Sequence, residues 1–168
     1  APLRYPPGGA DAATIKEVRR LKARMEAERL PRGVEPARHL KLGRGGLSDV
    51  EWSVQLLQLR HAHEVPGLRT PSTLRALDAA AAAGLLDQSD AATLREAWLL
   101  STRLRDAIVL WTGRPGAAMG DVLPHDRRAL NGLARMLGYP PASGGELEER
   151  YLRSGRRARA VMERVFYG

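Results

Sequence analysis

The chain has 168 residues, 43% of them hydrophobic, which is enough for one domain with its own core and too little for two ordinary ones. Cysteine is absent, so disulfides and thiolate metal sites are excluded, and no apolar run reaches the roughly 18 residues of a membrane span. The net charge of +8 is unevenly placed: residues 1–48 hold 11 basic and 5 acidic residues, and residues 150–168 hold 6 basic and 1 acidic. If the two basic ends meet, they form a positive patch suited to phosphate, nucleotide, nucleic acid or an acidic protein surface; if not, they are solvated helix faces.

Residues 1–10 begin Ala1-Pro2-Leu3-Arg4 without an apolar signal core. They read as a linker from a preceding domain, with the domain proper over residues 11–168. Strand signals are nearly lacking, and helical periodicity recurs instead. A first helix is expected from Asp11 to Arg29, with Ile15, Val18, Leu21 and Met25 as its apolar face and Pro31-Arg32-Gly33 as its stop. A polar loop runs from Pro36 to Gly46. Ser48-Asp49-Val50-Glu51 fits a capping box that opens the second helix. Its stripes, Val50–Val54–Leu57–His61 and Trp52–Leu56–Leu59, lie on two faces, so this helix is expected to be central and covered on both sides.

Thr70-Pro71 is expected to open a third helix, closed by Gly84, and Ser89 to cap a fourth that ends at Gly113. Leu94, Trp98, Ser101, Leu104, Ile108 and Trp111 would line one face of the fourth. After a loop over Gly113–Leu123, Pro124 opens a fifth helix with Leu130, Leu133 and Leu137 inward and Gly138 as its stop. Pro140-Pro141 forces a turn, and Ser143-Gly144-Gly145-Glu146 is a second capping box. The sixth helix carries Leu147, Tyr151, Ala158, Val161 and Val165 inward to the end. The expected fold is all-α, a helical bundle of about six helices.

The densest segment for chemistry is residues 39–52, His39 to Trp52. Gly43, Gly45 and Gly46 let backbone approach a ligand or another element closely, and Lys41 and Arg44 add positive charge before a helix N-terminus. That combination suits an anion. Asp49 and Glu51, however, sit in the first turn and would repel a phosphate seated on the helix. Contact through Lys41 and Arg44 on the loop is therefore favoured. Asp49 and Glu51 would orient those cations, assist a divalent metal, or only cap the helix. The spacing matches neither a Walker loop nor a dinucleotide fingerprint.

This string, Lys41, Gly43, Gly45, Gly46, Leu47, Asp49, Val50, Glu51, Trp52 and Gln55, resembles a signature of the glutamine-synthetase adenylyltransferase family, the bifunctional adenylylating and deadenylylating enzymes of bacterial nitrogen control. The resemblance continues through His61-Ala62-His63-Glu64, Leu137-Gly138-Tyr139, Arg156-Arg157-Ala158-Arg159 and Phe166-Tyr167-Gly168, and is nearest to actinobacterial forms. It implies the helical domain that follows a nucleotidyltransferase domain, in the C-terminal, adenylylating half, as Asp49 suggests. The parent would transfer AMP from ATP to a tyrosine of glutamine synthetase. It would use ATP and Mg2+ bound by a catalytic domain with an Asp-x-Asp strand. No Asp-x-Asp occurs here, so no catalytic residue, metal ligand or bound cofactor is expected in this segment, which alone should be inactive. Implied partners are the preceding nucleotidyltransferase domain, glutamine synthetase and a PII-type regulator, in the cytoplasm. The site candidates are Lys41, Gly43, Arg44, Gly45, Gly46, Asp49 and Glu51.

Other features read more plainly. His61 and His63 point to different helix faces, so with Glu64 they suggest packing or an interface rather than a metal site. Trp52, Trp98 and Trp111 are expected in the core. Arg150, Arg153, Arg156, Arg157 and Arg159 form either a solvated face or a surface for a neighbouring domain or acidic partner. The competing reading, a basic nucleic-acid-binding module, lacks a helix-turn-helix pattern and stacking aromatics.

Overall fold

Helical periodicity in the sequence becomes six α-helices in a computed structural model, which describes residues 5–113 and 118–168. They are α1 (Ala12–Arg29), α2 (Leu47–His61), α3 (Thr73–Ala82), α4 (Gln88–Thr112), α5 (Arg127–Met136) and α6 (Gly144–Met162). Short 3-10 turns cover Pro66–Leu68 and Ala118–Asp121, and a π-turn, Glu163–Tyr167, ends α6. Among the described residues there is no strand, only an isolated antiparallel bridge between His39 and Val122. The expected all-α bundle is the observed fold.

Two apolar interiors meet along α4 and α6. One joins Val50, Val54 and Leu57 of α2 to Leu77 of α3, Leu94 of α4 and Val161 of α6. The other joins Leu40 of the loop to Leu104 and Ile108 of α4, Leu130 and Leu133 of α5, and Leu147 and Tyr151 of α6. A smaller cluster of Ile15, Leu56, Met162 and Phe166 seats α1 against α2 and the end of α6. Helix α2 is thus covered on two sides, as its double stripe requires.

Helix stops follow the sequence better than helix starts. The chain leaves α3, α4 and α5 through Gly84, Gly113 and Gly138, whose φ values of 72°, 66° and 86° lie where an L side chain is disfavoured. Asp11 caps α1 by accepting from the Thr14 amide at 2.8 Å, and Asp126 caps α5 by accepting from the Ala129 amide at 2.8 Å. The expected starts at Thr70, Ser89 and Pro124 move downstream or upstream by a few residues: Ser72 caps α3, Asp87 precedes α4, and Asp126 replaces Pro124.

Neither expected capping box forms. The N-cap of α2 is Gly46, with no side-chain cap, because the amides of Leu47 and Ser48 are taken by the Leu40 and Lys41 carbonyls, both at 2.9 Å. At α6 the Gly144 amide donates to Asn131 Oδ1 at 2.9 Å, so tertiary contact with α5 replaces Ser143. The tryptophans also depart from expectation. Trp52 and Trp98 are only half-buried at the core's edge, and Trp111 is 48% exposed. Part of the linker expected over residues 1–10 is laid on the bundle: the Tyr5 hydroxyl donates to the Thr70 carbonyl at 3.2 Å and the Ala10 amide to the Leu59 carbonyl at 2.8 Å. Residues 1–4 of that linker and 114–117 of the Gly113–Leu123 loop lie outside the described residues.

Candidate functional site

The loop before α2 is shaped by its own backbone. Gly43 donates to the His39 carbonyl at 3.0 Å, Arg44 to Pro36 at 3.0 Å and Gly46 to Gly43 at 3.0 Å. Leu40 donates to Asp121 at 2.7 Å and Leu123 to Arg38 at 2.9 Å, which ties this loop to the segment after α4. Gly45 has φ +74°, and a Cβ there would overlap the backbone of Gly155 on α6. A Cβ on Gly43 would collide with the Pro36 and His39 carbonyls. The missing side chains of Gly45 and Gly43 therefore allow close packing against α6 and within the loop.

Beneath the loop lies a buried charge cluster. Asp49 is fully buried and Lys22 is 3% exposed. Lys22 Nζ donates to Asp49 Oδ1 at 2.8 Å, while Asp49 Oδ2 accepts from the Gly45 amide at 2.7 Å and from Arg159 at 3.3 Å. Arg159 also pairs with Glu26, and with Glu163 at 2.9 Å. Burial opposes the charge on Arg159, but the Glu163 hydrogen bond and the Asp49 and Glu26 charges outweigh it and hold the guanidinium above its usual range. One carboxylate thus joins α1, the glycine bend and α6. The sequence had Lys22 off the apolar face of α1. It occupies that face, while Leu21, expected inward, is 42% exposed.

The other candidates sit differently. Lys41 and Arg44 are exposed, and neither side chain makes a hydrogen bond or ion pair with any described residue. Arg44 lines a groove of about 300 Å³ with Glu26, Leu30, Pro36, Leu42 and Arg159. Glu51 is half-buried one turn along α2, without a capping bond. The structure thus brings Gly45 and Asp49 together beneath the loop and leaves Lys41 and Arg44 on its surface. Asp49 does not orient either cation through its side chain, because both its oxygens are committed elsewhere.

Two buried residues beside the site carried no sequence signal. His39 is 3% exposed, and its Nδ1 accepts from the Leu42 amide at 2.9 Å. Burial pushes its pKa below the ordinary value, with the Arg105 and Lys41 charges acting in the same direction and Asp121 opposing. Arg38 is 4% exposed and donates to the Leu123 carbonyl at 3.2 Å, the Pro124 carbonyl at 2.6 Å and Glu148 at 2.7 Å. A polar residue followed by an apolar one in a loop gives no period from which such burial could be read.

No group of three or more His, Asp or Glu that could hold a metal ion occurs among the described residues. The His61 and His63 rings lie 3.4 and 3.8 Å from the Glu64 carboxylate. Among the described residues no helix is long and apolar enough to cross a membrane.

Comparison with known proteins decides the family. The profile of the GlnD PII-uridylyltransferase family matches residues 14–166, nearly the whole chain. The chain belongs to this family. Its curated relatives include the bifunctional glutamine synthetase adenylyltransferase/adenylyl-removing enzymes of Leifsonia xyli subsp. xyli, 57% identical over 166 residues, and Streptomyces coelicolor, 55% identical over 166. The corresponding enzyme of Mycobacterium leprae is 52% identical over 164 residues. These matches cover 98–99% of this chain but 16% of each relative. This GlnD-family chain therefore spans about one sixth of the length of the relatives it matches. The adenylyltransferase resemblance read from Lys41 to Gln55 is borne out by those names.

Proposed function

We propose that this segment is the helical domain beside a nucleotidyltransferase domain in a cytoplasmic glutamine-synthetase adenylyltransferase, and that its exposed loop completes the nucleotide or protein-substrate site of that neighbour. The observation that carries the proposal is Lys41 and Arg44: two solvent-facing cations without partners among the described residues, on a bend anchored from below. The Asp49 carboxylate and the Gly45–Gly155 contact set the course of the bend, so the backbone that carries Arg44 is fixed in place. Two cations on a fixed backbone suit the phosphates of a nucleotide or acidic groups on a protein substrate.

The first two amides of α2 are already bonded, so an anion is met by the side chains and not by the helix end. Asp49 does not fit a metal, since Lys22, Gly45 and Arg159 already occupy it. ATP with Mg2+ supplies the adenylyl group transferred to a tyrosine of glutamine synthetase, and the metal-binding carboxylates belong to the neighbouring domain. A PII-type regulator is a further partner. The names of the relatives favour this reading over a nucleic-acid module. So does the engagement of Arg150, Arg153, Arg159 and Arg164 with Tyr139, Glu149, Asp49 and Asp90.

The test is kinetic. In the full-length enzyme carrying this segment, Lys41→Ala and Arg44→Ala should each slow adenylylation of glutamine synthetase at least tenfold with an unchanged melting temperature. Substitution of such exposed residues normally moves stability by no more than about 0.5 kcal/mol. Unchanged kinetics in both variants would remove the loop from the site.

A further inference from the structure

Four large hydrophobic residues stand exposed among the described residues, and three of them lie on α4 and α5: Leu110 at 75%, Trp111 at 48% and Met136 at 43%. Their arrangement is built, not scattered. A Cβ on Gly132 would overlap the six-membered ring of Trp111, so the missing side chain is what lets the indole lie on α5. Met136 follows Gly132 by four residues and Arg128 precedes it by four, which puts all three on one face of α5. Leu110 adjoins the indole in sequence at the C-terminal end of α4. Arg128 and Arg135 are exposed here, and neither side chain has a hydrogen-bond or ion-pair partner among the described residues.

An exposed tryptophan seated on a glycine, with an exposed leucine beside it in sequence and an exposed methionine and unpaired arginine side chains on the helix it covers, has the composition of an interface centre. Trp and Arg dominate such centres, and solvent-facing apolar residues of this size are seldom gathered without a partner. The relatives are about six times as long as this chain. We propose that this end of α4 and α5 docks against another domain of the same full-length polypeptide, one presenting an apolar pocket with an acidic rim. The proposal shares with the function proposed above the premise of a multidomain parent, but does not depend on Lys41 or Arg44. Charge chooses the rim chemistry: the arginines here have no acidic partner of their own among the described residues.

Cysteine reactivity tests the surface in the intact enzyme. Leu110→Cys and Met136→Cys would be introduced separately into full-length protein, with Arg75→Cys on exposed α3 as the reference, each corrected for labelling of the unsubstituted enzyme. Maleimide should label positions 110 and 136 at least tenfold more slowly than position 75, with unchanged melting temperatures. Because Leu110 is 75% exposed, its substitution leaves the domain's interior intact. As a second measure, Leu110→Asp should raise both the labelling of Met136→Cys and the susceptibility of the interdomain connection to protease. Labelling of both sites at the rate of position 75 would overturn the proposal. Protection appearing only when glutamine synthetase is added would overturn it too, by assigning the surface to the substrate protein. The kinetic variants of Lys41 and Arg44 report separately, so either reading can fail alone.

Discussion

Around α4, α5 and α6 the interior is hydrocarbon: Leu104, Ile108, Leu130, Leu133 and Leu147 pack with little or no exposure. Helix α1 is fastened in another way. Of its 18 residues only Ile15 and Lys22 are buried, and Lys22 reaches Asp49 while Glu26 reaches Arg159. Dispersion and apolar burial are nondirectional and degrade gradually, methylene by methylene. A buried ion pair is directional and fails abruptly, because the remaining charge keeps its desolvation penalty. One region therefore supplies bulk stability, and the other fixes the position of α1 and of the glycine bend that carries Arg44.

The largest effect should come from breaking the second region at its centre. Asp49→Asn keeps an oxygen for the Gly45 amide but strands Lys22 without a counter-charge. A loss of about 3–5 kcal/mol is expected, the range for removing one member of a buried pair. In the apolar region Leu104→Ala should cost a comparable 2–5 kcal/mol. The two losses should differ in kind, however. In hydrogen exchange, Asp49→Asn should release the amides of α1 well before the rest, whereas Leu104→Ala should weaken the whole bundle together. Lys22→Met sharpens the contrast: Asp49 keeps Arg159 and the Gly45 amide, so urea unfolding should show a clearly smaller loss than Asp49→Asn. Equal losses for the two variants would contradict the idea that Asp49 is the hub.

Next in size is the bend itself. Gly45→Ala imposes an L side chain at φ +74° and drives a methyl into Gly155. A left-handed conformation costs an L residue roughly 1–2 kcal/mol, and overpacking adds about 1–3 kcal/mol. Melting curves should show a loss of at least about 2 kcal/mol. Gly84→Ala, at a similar φ of 72° with open space around it, isolates the conformational part alone.

These outcomes bear on what the sequence could tell. Helix number, the stops at Gly84, Gly113 and Gly138, and the two-sided burial of α2 were legible because each follows from local periodicity or backbone conformation. The capping box at Ser48 and Glu51 was not a reliable guide, since Leu40 and Lys41, far enough upstream to form a loop, supply the carbonyls that the first amides need. In the site, the glycine bend and its two free cations were legible from residue type. The partner of Asp49 was not, because Lys22 lies 27 residues away and its apolar neighbours on α1 suggested a different inward face. Helical spacing places Trp111 in the core and the structure leaves it half exposed, because spacing shows which face a residue shares, not whether a neighbour covers it.

The smallest effect concerns pH and compares the loop with the charge cluster beneath it. His39 is buried with its Nδ1 accepting the Leu42 amide, and its pKa lies below the ordinary 6.5. The unfolded chain therefore binds a proton that the folded chain refuses over the interval between those two values. Since stability rises with pH wherever the unfolded state holds more protons, acidification from pH 6.5 downward should destabilise the domain. A single site limits the slope to about 1.4 kcal/mol per pH unit. His39→Asn retains an acceptor for the Leu42 amide but cannot titrate. Its melting temperature should fall less than that of the unsubstituted protein between pH 7 and 5.5, while the three other histidines contribute equally to both. Parallel curves would mean that His39 is not the group through which acid loosens the loop.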